Sequence, residues 1–333
     1  MARGRALGGG RLTPDSPLLG GPIPGGAGDE ESLSPAAPYD PRRDDYASPA
    51  AGPEPEAEDL SERDDLLPAA DGERSLDDWG RSERVMDLMQ PAMNFYYRYW
   101  FRVEHEGIEN VPSTGGALLV SNHSGALPPD APMIMYAIRK DHPAPRPLYM
   151  FGEHWFKGYP FVGMLANKLG LVAAHPSNAH RLLHDEGRLA IVLPEGQKGT
   201  RKVLWQRYRL RRFGRGGFVR TAIRARVPIV PIALIGAEEA MPIFAHIRPA
   251  QRLTGLIYFP LNHAFPHFGV LAGLMYLPAK FKIRFLEPID MSRYPVEAAD
   301  DAAVVQGIAE DIRAKIQLNL DEMLVARRSV WLG

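Results

Sequence analysis

The chain contains no cysteine. That removes disulfides, thiolate metal sites and cysteine-linked covalent intermediates, while leaving the compartment undecided. It has no apolar run of 18 residues that reads as a clean transmembrane helix. The nearest candidate, 256–278, lacks Asp, Glu, Lys and Arg, but Pro260, Pro266 and Pro278 interrupt it. Prolines so closely spaced make a poor spanning helix, so this stretch reads as buried or interface-seated irregular structure. No apolar segment follows the arginines near Met1, and no secretory signal is expected. A G-x-S-x-G nucleophile elbow is missing, and so is the G-x-x-x-x-G-K-[ST] spacing of a phosphate-binding P-loop.

Acid and base are unevenly shared along the 333 residues. Residues 1–80 carry 7 Lys and Arg against 18 Asp and Glu, which leaves 32 basic and 22 acidic residues for the remainder. The first 80 residues also hold 12 Gly and 11 Pro. Such a segment buries too little apolar surface to offset its chain entropy, so 1–80 is predicted to be a disordered acidic tail. It is either simply solvated or a regulatory tail that folds back on the basic body. Within 196–237 there is no Asp or Glu, but there are eleven basic residues, among them Lys198, Arg201, Lys202, Arg207, Arg211 and Arg220. That is a positive surface for phosphates. No nucleic-acid module of recognised spacing accompanies it, and the aromatic–basic run 95–101 favours lipid headgroups over nucleic acid.

Hydrophobic content of 45% and charged content of 24% suit one large packed domain. Residues 81–100 show helical spacing of Val85, Leu88, Met89, Ala92 and Tyr96, with Pro91 expected to kink or divide the helix. The segment reads as an amphipathic membrane-proximal helix, or as a helix docked on the protein's own core. From 101 onwards apolar strands alternate with helices. Strands are predicted at 101–106, 115–121, 148–151, 171–174, 189–193, 229–235 and 282–286, and helices at 131–140, 161–169, 178–186 and 217–226. A long amphipathic helix is predicted at 297–328, with Val304, Ile308, Ile312, Ile316, Leu320 and Leu324 on one stripe. The pattern implies an α/β fold: a largely parallel mixed sheet flanked by helices.

Sites in such sheets lie beyond the C-terminal ends of strands. One strand ends in Ser121-Asn122-His123, and Asp130 follows just before a helix. A His that takes a proton near neutral pH needs a carboxylate to hold its tautomer. The same residues also suit a solvated His and a helix-capping Asp. A second strand ends in Pro194-Glu195-Gly196 and continues to Lys202. Gly196 and Gly199, beside Lys198 and Arg201, let the backbone approach a phosphate or polar headgroup. Glu195 taken alone reads as a structural hydrogen-bond hub. Gly214-Arg215-Gly216-Gly217 suits a plain turn better than an anion cradle. His180 and His184 stand at i,i+4 spacing before Asp185 and Glu186, a pattern far commoner on a solvated helix face, and no metal is expected.

In order, His123…Asp130, Gly158-Tyr159-Pro160-Phe161-Val162-Gly163, Leu193-Pro194-Glu195-Gly196 and Val227-Pro228-Ile229-Val230-Pro231 resemble the glycerolipid acyltransferase family, that of the bacterial lysophosphatidate acyltransferases. The resemblance covers about 95–290. It implies that His123 is the general base and Asp130 its partner, that Glu195 and Gly196 lie in the acceptor-binding block, and that Pro231 lies in the block associated with the acyl donor. It makes 101–333 the acyltransferase domain and implies a membrane-bound protein. Two departures stand out. Six residues rather than four separate His123 from Asp130, as in branches with an H-S-G-x-x-P-x-D pattern. His175-Pro176-Ser177-Asn178 occupies the place of the arginine that grips an acceptor phosphate, so phosphate-bearing and neutral acceptors both stay open, with Lys198 or Arg201 as substitute cations.

The expected reaction moves a fatty acyl group from acyl-CoA or acyl carrier protein to a glycerolipid or lysophospholipid hydroxyl. It has no cofactor beyond that co-substrate. The expected partners are the lipid acceptor, the thioester donor and a membrane surface, without nucleic acid, and the expected place is peripheral or monotopic on the cytoplasmic face of a membrane. The alternatives are a thioesterase or lipid esterase using the same base on water, and a non-catalytic peripheral membrane-binding protein.

Overall fold

The computed structural model describes residues 76–124, 129–152, 160–247, 249, 250, 253, 259–265, 268 and 275–333. All of these belong to one compact unit, Asp71–Gly333. The acidic tail predicted for 1–80 therefore lies outside the described residues, except for 76–80. There the prediction fails: Leu76 bridges to Ser82, and the Asp77 carboxylate accepts the N–H groups of Trp79 (3.0 Å) and Arg81 (2.9 Å).

The sheet forms around β2 (Ala117–Ser121), an Ala-Leu-Leu-Val-Ser run buried at every position, as a strand covered on both faces must be. It lies between β5 (Leu189–Val192) and β6 (Ile229–Ile235). Beyond β5 come β3 (Leu148–Gly152) and β4 (Leu171–Ala173), with α3 (Pro160–Lys168) between them in the chain. Beyond β6 come β9 (Lys282–Phe285) and β1 (Glu104–Glu106), giving the order β1-β9-β6-β2-β5-β3-β4. Only the β6–β9 junction is antiparallel. The sheet is thus mixed and largely parallel, and five strands point their C-terminal ends at one rim.

Alternation sorts the two faces. Leu118, Val120, Ile229 and Ala233 pack with α6 (Gly217–Ala225) and α8 (Ala302–Ala326), whereas Leu119, Ile191, Val230 and Ile232 pack with α2 (Asp130–Asp141). The C-terminal helix differs from the continuous 297–328 expected. A short 3₁₀ turn, Val296–Ala299, precedes it, and Asp301 starts α8 afresh by accepting the N–H groups of Ala303 (2.8 Å) and Val304 (3.2 Å), a side-chain cap that satisfies helix-end donors. The buried stripe runs Val305, Ile308, Ile312, Ile316, Leu320 and Met323. Its ends are each one residue away from the expected Val304 and Leu324.

Helix α1 (Glu83–Phe95) is capped by Ser82 and continues through Pro91, which does not divide it. A π-helical turn, Tyr96–Trp100, follows. Tyr97 and Phe101 are buried, Phe101 stacks on Phe281 at 4.2 Å, and the Trp100 indole donates to the Tyr276 carbonyl (2.9 Å). Leu88, Phe95 and Tyr99 are exposed. The aromatic run thus has a docked side and an open side. Of 256–278, residues 256–258, 266, 267 and 269–274 lie outside the described residues. An unforeseen two-stranded sheet pairs β7 (Ile243–His246) with β8 (Pro260–Asn262).

One side chain ties the end of β2 to β6. Asn122, 1% exposed, accepts the Leu234 N–H (2.9 Å) and donates to the Leu234 carbonyl (3.0 Å). Substituting Asn122→Leu leaves both backbone groups unpaired. The expected cost is about 2–4 kcal/mol, read from urea unfolding as a lower midpoint at constant slope.

Candidate active site

The rim of the sheet places His123 two residues past β2 and Asp130 at the first position of α2. The His123 Nδ1 lies 3.0 Å from Asp130 Oδ2. The same oxygen accepts the Ser124 N–H (2.8 Å) and hydroxyl (3.1 Å), and Oδ1 accepts the Ala131 N–H (2.8 Å). Asp130 is therefore at once a helix-start residue and the partner of the imidazole, joining the two roles its position allowed. Burial alone would raise its carboxyl. The His123 charge and hydrogen bond, together with the Ser124 and Ala131 N–H groups, outweigh burial and hold it below the ordinary carboxylate value. An ionised acceptor places the proton on Nδ1 and leaves the lone pair on Nε2. The wide turn between the two residues, 125–128, lies outside the described residues.

Glu195 follows β5 and reaches across the rim. Its Oε1 accepts the His123 backbone N–H (2.9 Å) and its Oε2 the Arg211 N–H (2.8 Å), and the Lys202 ammonium lies 3.3 Å away. Both oxygens are taken by donors of the chain itself, which makes Glu195 a hub under the His123 turn. Gly196, at φ 53° and ψ −146°, lets the chain reverse into the short helix α5 (Gln197–Thr200). Gly199 provides the clearance: a Cβ there would stand 2.8 Å from the Cβ atoms of both His123 and Glu195.

Lys202 also pairs with Glu238 (2.8 Å) of α7 (Ala237–Ala240), whose Oε1 accepts the Tyr208 N–H (3.1 Å). Burial pushes the Glu238 carboxyl up to about 7 against the pull of Lys202. Burial works against the Lys202 charge, but the two carboxylates outweigh it and raise its value. Next to this pair the Tyr208 hydroxyl donates to Glu239, which is bound by Arg327 (3.1 Å). Sequence reading missed Asn122, Glu238, Glu239, Tyr208 and Arg327 as parts of this rim, and it placed Lys202 only in the basic surface.

The other expected site residues are distributed differently. Lys198 and Arg201 are exposed on and just after α5. Pro231 is buried inside β6, where its carbonyl accepts the Leu286 N–H (2.9 Å). His175 caps the helix α4 (Pro176–His180), accepting the Ser177 N–H at 3.3 Å. The basic span is partly consumed by the fold. Lys202 is buried, Arg224 pairs with Asp300 (2.6 Å), and Arg220 donates to the Ala299 carbonyl (2.9 Å). His180, His184 and Asp185 converge on the exposed side of a π-helical turn, Arg181–Asp185, with the two rings 4.8 Å apart.

A family model described as Acyltransferase matches residues 102–235, from β1 to the end of β6. The chain belongs to the acyltransferase family. Among its relatives is an uncharacterized protein of Mycobacterium leprae, 41% identical over 263 residues, which span 79% of this chain and 71% of that protein. A Gallus gallus protein named "DGAT1/2-independent enzyme synthesizing storage lipids" is 27% identical over 215 residues, 63% of this chain and 58% of that protein. The solved structure of the 1-acyl-sn-glycerophosphate (LPA) acyltransferase PlsC from Thermotoga maritima aligns at 18% identity with a TM-score of 0.45, covering 72% of this chain and 81% of that one.

The lowered Asp130 value sets a pH dependence. Its contribution to stability is complete above the unfolded carboxylate value, about 3.9, and is lost as pH falls through the folded value. Asp130→Asn is expected to cost about 3 kcal/mol at pH 7. In urea unfolding, the gap from wild type should shrink below about pH 4. A gap unchanged from pH 7 to pH 3 would contradict the ionised dyad.

Proposed function

We propose that this acyltransferase moves a fatty acyl group from an acyl thioester, acyl-CoA or acyl-acyl carrier protein, to a hydroxyl of a glycerolipid or lysophospholipid. The observation that carries the reading is the 3.0 Å contact of His123 Nδ1 with the fully buried Asp130 carboxylate. It leaves the other ring nitrogen available to act as base. His123 Nε2 takes the acceptor hydroxyl proton while the oxygen attacks the thioester carbonyl. Asp130 stabilises the resulting imidazolium. The tetrahedral intermediate collapses with cleavage of the C–S bond, and the proton on Nε2 passes to the departing thiolate. An ester and a free thiol are formed without an acyl-enzyme, in keeping with a chain that has no cysteine.

The name of the Gallus gallus relative refers to storage lipids, which supports a lipid acceptor. His175 is used as a helix cap where a phosphate-gripping arginine is expected, so neutral acceptors stand beside phosphate-bearing ones, the latter served by the exposed cations Lys198 and Arg201. Among the described residues no helix is long and apolar enough to cross a membrane. The exposed Leu88, Phe95 and Tyr99 suit seating in a membrane interface, here the cytoplasmic face, with the basic span of 196–237 against anionic headgroups.

Incubation of the full chain with labelled acyl-CoA or acyl carrier protein and a panel of lipid alcohols, read by mass spectrometry, tests the reaction. Wild type should form ester, and His123→Ala should lower kcat by about 10²–10⁴-fold. Undiminished transfer by the variant would refute the mechanism. Free fatty acid with every acceptor would assign the base to water. Absence of turnover, together with liposome binding indifferent to His123→Ala, would mark a non-catalytic membrane protein.

The double variant Phe95→Asp/Tyr99→Asp should weaken co-sedimentation with anionic liposomes by about tenfold or more, since two rings leave the interface. Unchanged binding would remove this face from the membrane contact.

A further inference from the structure

The proposed chemistry makes no use of Lys202, yet its side chain is 1% exposed and its ammonium lies between two carboxylates at the rim, with Glu195 at 3.3 Å and Glu238 at 2.8 Å. A charge in that setting is retained only when its partners are close and well oriented. Glu195 is fully buried and holds the backbone of His123 through one oxygen and that of Arg211 through the other. We propose that Lys202 is a positioning residue for His123: it holds the Glu195 carboxylate in the orientation that anchors the His123 turn. The kinetic effect of this role rests on the acyl-transfer reading above, whereas the geometry does not.

Three observations support it. First, the ammonium is triangulated. Glu195 approaches it from the end of β5 and Glu238 from α7, and Glu238 is itself fixed by the Tyr208 N–H (3.1 Å). Second, Tyr208 holds a left-handed backbone, φ 60°, that a non-glycine residue rarely adopts. Its conformation is over-determined: its N–H goes to Glu238, its carbonyl accepts from Gln317 of α8 (2.8 Å), and its hydroxyl accepts the Gly236 N–H (2.7 Å). Strain of this kind persists where surrounding contacts enforce it. Third, the chain leaving Tyr208 is held again by Gln317, through the Leu210 N–H (2.9 Å), one residue before the Arg211 N–H that binds Glu195. Lys202 thus closes a frame running from α8 through Glu195 to the catalytic imidazole. In such a frame a shift of about 1 Å costs on the order of 10² in rate.

The test compares wild type, Lys202→Met and Lys202→Met/Glu238→Gln by thermal melting, steady-state kinetics and ¹⁵N signals of the histidine rings. Lys202→Met should lower kcat about 10²-fold while the thioester KM stays within about threefold. Glu238→Gln removes the carboxylate left unpaired, so the double variant should regain much of the melting temperature but not kcat. The His123 ring signals, those of one Nδ1–H tautomer in wild type, should become those of a mixture in both variants. A folded Lys202→Met with wild-type kcat, or a double variant that regains it, would overturn the proposal. If the wild-type chain turns over no thioester, the acyl-transfer reading fails and the ring signals decide alone: unchanged His123 signals in folded protein then count against Lys202. Should Lys202→Met not fold, the double variant carries the same readouts.

Discussion

A buried carboxylate must find donors inside the protein, and Glu195 finds them on three separate segments: the His123 turn after β2, the irregular segment at Arg211, and Lys202 beyond α5. Satisfying one charge therefore fixes three loops at once. The arrangement needs a sheet whose strands end at a common rim, which the parallel set β6-β2-β5-β3-β4 provides. It also needs backbones that come close together, which the bare Cα of Gly199 allows. The His123–Asp130 pair rests on this frame. Its own hydrogen bonds orient the ring, but the placement of the ring in space comes from Glu195.

Much of the fold was legible because the strands are short apolar runs between polar punctuation. All seven strands of the main sheet fall within a few residues of their predicted places, and the alternation with helices implies the parallel core. Features that depend on side chains far apart in sequence were not legible. Nothing near Lys202 distinguishes it from the ten other basic residues of its span, since the partner that buries it, Glu238, lies 36 positions away. Asn122 looked like punctuation and is a clamp on β6. The break before α8 was written in Asp300-Asp301, but the apolar stripe on both sides masked it.

The site shows the same division. The His123 and Asp130 pairing was readable as a possibility because an imidazole and a carboxylate flank one turn, yet sequence spacing alone left capping and pairing open. The structure removes the choice, because one carboxylate serves both the helix start and the ring. Glu195 carried two readings, acceptor contact and structural hub, and its oxygens are occupied by the chain. The basic span resolves into residues that build the domain, such as Lys202 and Arg220, and residues that remain at its surface, such as Lys198.

The π-helical turn at Tyr96–Trp100 has a consequence for how this protein can change over evolutionary time. A wide turn holds one residue more than an α-helical turn, and each residue rotates the helix by about 100°. The inserted residue sets which rings meet Phe281 and the Tyr276 carbonyl and which, like Tyr99, look outward. Replacing one aromatic by another preserves that division. Losing or gaining a single residue within the turn would rotate the rings on one side of it by about 100° relative to those on the other, moving docked rings off their contacts. This stretch is thus tolerant of substitution and intolerant of insertion or deletion, the reverse of an ordinary surface loop.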